Sequence, residues 1–143
     1  MAYKSTRNKA LKNCIRLITA EYEGKEWSAP DGHFAVAHNI YSDYKVKKDQ
    51  WVVPDKPDMT NIIPNGNYIR AEAIAETVEG EELIRLENQE FNTSTYVNED
   101  YWNLIGELYP KSTVLVRSGE PYAPVKFMVG EELVALIMPL RLT

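Results

Sequence analysis

From Leu133 to Met138 the chain reads Leu-Val-Ala-Leu-Ile-Met, without one polar side chain. The run has strand length, and its Val and Ile favour a pleated, buried setting. A helix here would be interrupted by Pro139. An apolar strand close to a chain end frays in water unless neighbours hold it, so the stretch predicts a late-docking strand that closes a core. Pro139-Leu140-Arg141-Leu142 then emerges at a surface with two apolar side chains and one cation. Such an end can be a simple lid.

The 143 residues predict one domain, 1–143, large enough to bury a core without staples. No apolar run is long enough to span a bilayer, and no charged-then-apolar leader opens the sequence. The expectation is a soluble, cytoplasmic protein with no membrane partner. A single cysteine, Cys14, excludes an intrachain disulfide and a multi-cysteine metal site. The net charge is −5, and it is unevenly placed. Lys4, Arg7, Lys9, Lys12 and Arg16 stand together without an acid, leaving 11 basic against 21 acidic residues elsewhere. One basic stripe on an acidic protein suits a restricted nucleic-acid face rather than general binding.

Ser5 or Thr6 caps a predicted helix running to about Ile18. Leu11, Cys14, Ile15 and Ile18 give it an apolar face. Lys9, Lys12 and Arg16 share another face, which reads first as a solvated surface and second as a nucleic-acid contact. A polar turn follows around Gly24, then an extended Trp27-Ser28-Ala29 and a Pro30-Asp31-Gly32 turn. His33 to Tyr41 alternates as a strand, with Phe34, Val36, His38 and Ile40 on one side. His33 and His38 therefore face opposite sides and do not pair as metal ligands. Trp51 to Val53 reads as a short strand, and Pro54, Pro57 and Pro64 mark a crossover between two halves. Tyr68 to Thr77 alternates as a strand, Glu79-Gly80-Glu81 turns, and Leu83 to Leu86 is a further strand. Asn98 caps a second helix whose apolar face is Tyr101, Leu104, Ile105 and Leu108, stopped by Pro110. Strands at Thr113 to Arg117 and Pro124 to Val129 precede the closing run. Each half thus holds one helix and several strands.

Catalytic signatures are missing. The sequence contains no phosphate-binding Gly loop, no nucleophile elbow and no Cys-x-x-Cys. The acid pairs Glu81-Glu82, Glu99-Asp100 and Glu131-Glu132 are adjacent, so their side chains diverge. No cofactor is expected, and an enzyme is the less favoured class.

Several segments resemble the bacterial sliding clamp, the beta subunit of DNA polymerase III. Ile137-Met138-Pro139-Leu140-Arg141-Leu142 is similar to that family's terminal Met-Pro-x-Arg-Leu. Ala29-Pro30-Asp31-Gly32-His33-Phe34-Ala35 resembles its Thr-Asp-Gly-His-Arg-Leu-Ala strand start. Pro57-Asp58-Met59-Thr60-Asn61-Ile62-Ile63-Pro64 is similar to its Pro-Asp-Tyr-x-x-Val-Ile-Pro. Phe91-Asn92 with Tyr101 to Leu108 looks like the second helix of its last domain. Thr113 to Val116, a Ser-Gly turn and Ala123-Pro124-Val125 look like the strand pair after it.

The resemblance implies an α+β fold, a DNA-clamp-like domain with two helices packed on curved antiparallel sheets and internal pseudo-two-fold symmetry. It implies a replication processivity factor whose copies form a homo-oligomeric ring, Lys4, Arg7, Lys9, Lys12 and Arg16 meeting double-stranded DNA. It also implies a pocket for replication-protein peptides at Gly32, His33, Phe34, Met138, Pro139, Leu140, Arg141 and Leu142. A second function follows as well: a clamp-like interaction module that binds such peptides without encircling DNA. Three departures stand out. Extra residues separate Asn92 from the helix, Phe34 replaces the family's Arg, and Glu99, Asp100 and Glu107 lie on the second helix. Phe34 is also large enough to fill the pocket itself.

Overall fold

The computed structural model describes residues 66–88, 90 and 93–140, together with the short segments 17–18, 20–22, 25–28, 34–37 and 49–52. In chain order the elements are β1 (Leu17–Ile18), β2 (Ala20–Tyr22), β3 (Lys25–Ser28), β4 (Phe34–Ala37), β5 (Asp49–Val52), β6 (Tyr68–Arg70), β7 (Glu72–Val78), β8 (Glu81–Asn88) and β9 (Thr93–Asn98), then the helix α1 (Glu99–Leu108), β10 (Thr113–Arg117), β11 (Val125–Val129) and β12 (Glu132–Ile137). Seven strands form one antiparallel sheet in the order β2-β3-β4-β12-β11-β10-β6. β7, β8 and β9 form a second antiparallel sheet, and β1 pairs with β5 in parallel.

The apolar run at 133–138 is the centre of this arrangement. β12 lies between β11 and β4, and Val134, Ala135, Leu136 and Ile137 are all buried. A residue buried on both faces of a sheet needs apolar neighbours on both, and β12 has them. Ala135 and Ile137 join the main core, and Leu136 packs with Trp27, Ala35 and Ala37 on the opposite face. β4 divides the same way, Phe34 and Val36 to one side and Ala35 and Ala37 to the other.

α1 and the smaller sheet cover the inner face of the large sheet. Asn98 caps α1, its side-chain oxygen accepting from the N–H groups of Asp100 (2.8 Å) and Tyr101 (3.4 Å). Leu104, Ile105 and Leu108 are buried in the same cluster as Val114, Val116, Val125 and Phe127. Ile84, Leu86 and Val97 supply the contribution of the smaller sheet. Tyr101 stacks on Phe34 with ring centroids 4.5 Å apart, and Trp102 lies tilted against Phe127 at 5.7 Å. Tyr109, just past the helix, donates its hydroxyl to the Ala37 carbonyl.

The expected α+β fold, with two helices on curved sheets and two-fold pseudosymmetry, is corrected here. The described residues are mostly β, hold one helix, and divide into antiparallel sheets of seven and three strands. Leu17 and Ile18, expected at the end of a first helix, pair as strand β1. A helical spacing of Leu11, Cys14, Ile15 and Ile18 does not bind the last of them to a helix when β-branched Ile18 finds a strand partner. The rest of that expected helix lies outside the described residues. On either side of the polar turn expected around Gly24, Ala20–Tyr22 and Lys25–Ser28 are paired strands. Tyr68 to Thr77 is two strands, not one. The N–H of Ala71 donates to the Val114 carbonyl at 3.1 Å, and beyond it the chain leaves the large sheet for the small one. β9 was not expected at all.

The β7–β8 hairpin turns on two residues, Glu79 and Gly80, between the paired Val78 and Glu81. Both have positive φ, 50° and 82°, as a turn matching the strand twist requires.

Candidate functional site

The expected site residues divide by location. Lys4, Arg7, Lys9, Lys12 and Arg16, and Gly32, His33, Arg141 and Leu142, lie outside the described residues. Phe34 is 2 % exposed and stacked on Tyr101. Its ring belongs to the core and offers no surface to a peptide. Met138 is different. At 36 % exposure it and Tyr122 are the exposed large apolar side chains among the described residues. Pro139 and Leu140 are half-buried.

Met138 owes its position to the strand before it. The β11–β12 ladder ends at the pair Val125–Ile137, so Met138 and Pro124 are the next residues outward on the two strands. Successive side chains alternate across a strand, which puts Met138 on the side of Leu136, away from the helix. Pro139 supplies no N–H, and Leu140 then donates its N–H to the Tyr96 carbonyl of β9 at 2.8 Å. The tail therefore crosses from the large sheet to the small one and is pinned to both, with Met138 at the corner.

A second group of polar side chains gathers on the outward face of β6, β10 and β11. The ladder pairs Leu115 with both Lys126 and Arg70, and Arg117 with Tyr68. The Tyr68 side chain lies across β10 and donates its hydroxyl to the Pro124 carbonyl at 2.9 Å. The Lys126 ammonium sits 4.1 Å above the centre of that ring, a favourable place for a cation. Arg117 meets Glu120 at 3.0 Å and also packs against Gly66, where an added Cβ would fall 2.5 Å from the Arg117 Nε. Burial pushes Tyr68 from 10.0 up to about 12, with Arg117 opposing and Glu120 adding to the shift. Burial, and then the Arg117 charge, lowers Lys126 below the usual lysine value. Beside this group Arg117, Glu120, Pro121, Tyr122 and Pro124 border an open concavity of about 490 Å³.

Sequence reasoning missed this cluster because its members are far apart in the chain. A signal was present nonetheless. β6, β10 and β11 contain no acid, although the protein is acidic overall, and in β10 and β11 the cations Arg117 and Lys126 occupy positions that alternate with buried residues. The acids Glu81, Glu82, Glu99 and Asp100 gather elsewhere, around the start of α1 and the β7–β8 turn. Among the described residues no group of three or more His, Cys, Asp or Glu side chains is arranged to hold a metal ion.

Comparison of the chain with protein-family models, with curated proteins and with solved structures gives no match.

Proposed function

We propose that the protein is a peptide-docking module of the replication machinery, taking short apolar segments of partner proteins at the corner formed by Met138, Pro139 and Leu140. The observation that carries the reading is the exposure of Met138 directly after the buried Ile137. A large, flexible apolar side chain held at a surface by a rigid strand adapts its shape to a partner's side chain without moving the backbone, at the cost of fixing its own rotamers. The partner class comes from the resemblance of the tail to the sliding-clamp terminus. Encirclement of DNA has less support, because α1 carries Glu99, Asp100 and Glu107 and no cation, and like charge repels phosphate.

The test is fluorescence anisotropy of a labelled peptide bearing a Gln followed by Leu or Phe. Wild type binds at micromolar strength, on the order of −8 kcal/mol. Met138→Glu and a chain ending at Ile137 lose that binding while keeping their circular dichroism. Equal binding by all three, or none by wild type, removes the peptide reading.

A further inference from the structure

Between Gly66 and Leu140 the chain carries five basic and thirteen acidic side chains. Arg85 is engaged by Glu76 at 3.7 Å and Glu87 at 3.5 Å on the small sheet, and Lys111 stands exposed after the helix. The other three cations, Arg70, Arg117 and Lys126, share one face of three adjacent strands that contain no acid. Glu120, from the following turn, pairs with Arg117 at 3.0 Å. Glu120 offsets part of the Arg117 charge, so the face keeps a net positive charge that attracts an anion; Lys126 is lowered first by burial and then by the Arg117 charge.

We propose that this face binds single-stranded nucleic acid, with phosphates on Arg70, Arg117 and Lys126 and a base against Tyr122. Arg70 and Lys126 lie on either side of β10, two strand spacings or roughly 10 Å apart, within reach of one phosphodiester backbone. Tyr122 is 46 % exposed and borders the concavity with Pro121, Pro124 and Arg117. An acidic peptide offers carboxylates but no obligatory ring, whereas each nucleotide brings a phosphate and a planar base together. A duplex keeps its bases stacked inside, so the aromatic part of the site reaches only unpaired ones. The inference does not rest on peptide docking at Met138.

The experiment uses the full chain and labelled oligo-dT, a duplex of equal length and a poly-glutamate peptide, each followed by anisotropy from low to moderate salt. Wild type retains oligo-dT in preference to the other two. The slope of log affinity against log salt is about −2 for three phosphates at about 0.7 each. The Arg70→Glu, Lys126→Glu double variant loses at least tenfold and most of that slope. Arg70 is exposed, so Arg70→Glu alone weakens binding without touching the core, and Tyr122→Ser weakens it about tenfold through lost stacking. A Lys9→Glu, Lys12→Glu, Arg16→Glu variant keeps oligo-dT binding. No retention by wild type at low salt overturns the proposal. So do equal binding by the double variant, loss in the N-terminal variant alone, and a preference for duplex or poly-glutamate.

Discussion

β12 and the margin formed by β6 and β7 are built on opposite terms. β12 has a partner on each edge and apolar contacts on both faces, and its last four residues are buried. β7 has β8 on one edge, and no strand among the described residues pairs with the other. Ala73 and Ala75 are exposed even though their cross-strand partners Leu86 and Ile84 are buried. The apolar face of the small sheet therefore runs out at its edge strand. What holds the margin is polar and specific. Tyr68 reaches the Pro124 carbonyl and Asn88 donates its side-chain amide to the Arg70 carbonyl at 2.8 Å, while Arg85 pairs with Glu76 and Glu87 only at ion-pair distance, 3.7 and 3.5 Å, its Nε without a hydrogen bond. The centre is held by quantity of buried surface, and the margin by a few directed bonds.

The largest effect belongs to the centre. Ile137→Ala costs about 2–5 kcal/mol of stability, because the side chain is fully buried where strands on both sides limit collapse. Urea unfolding measures it, and a loss below about 1 kcal/mol breaks the distinction between centre and margin.

A smaller effect comes from Tyr68→Phe, about 1 kcal/mol at neutral pH for one lost hydrogen bond. Its signature is in alkali. Tyr68 keeps its proton up to about pH 12 in the folded chain and releases it near 10.0 when unfolded. Between those values the unfolded chain binds fewer protons, so wild-type stability falls as pH rises. Tyr68→Phe removes that part of the fall and no other. Thermal melts at pH 9, 10 and 11 compare the two proteins, and parallel losses would show that Tyr68 is not held protonated by the fold.

The smallest effect is expected at Ala75→Lys, within about 0.5 kcal/mol, since an exposed edge position accepts a cation. Dilution sharpens the result. A loss well above that value which grows with protein concentration would show that a second copy covers β7.

The same contrast explains what was legible in the sequence. β10, β11, β12 and the cap and apolar face of α1 were readable because local pattern and burial agree there. β9 was not. In Ser94-Thr95-Tyr96-Val97-Asn98 only Thr95 and Val97 are buried, so the strand looks polar until β8 pairs with it. The break at Ala71 was hidden because alternation continues through it while the partner strand changes. Of the candidate site, Met138 followed from the tail. The grouping of Tyr68, Arg117 and Lys126 did not, because strand pairing, not sequence spacing, sets their adjacency.

The place of β12 also dictates an order of assembly. Among the described residues, β2, β3 and β4 are joined to β11, β10 and β6 through β12 alone. Before residues 132–137 are in place, the large sheet is two separate pieces, each with an unpaired edge. Closing it means bringing together segments from distant parts of the chain, a slow kind of step that leaves strand edges open meanwhile. During synthesis those edges stay open at least until β12 leaves the ribosome, so the apolar run that completes the native sheet also withdraws two open edges from the wrong partner.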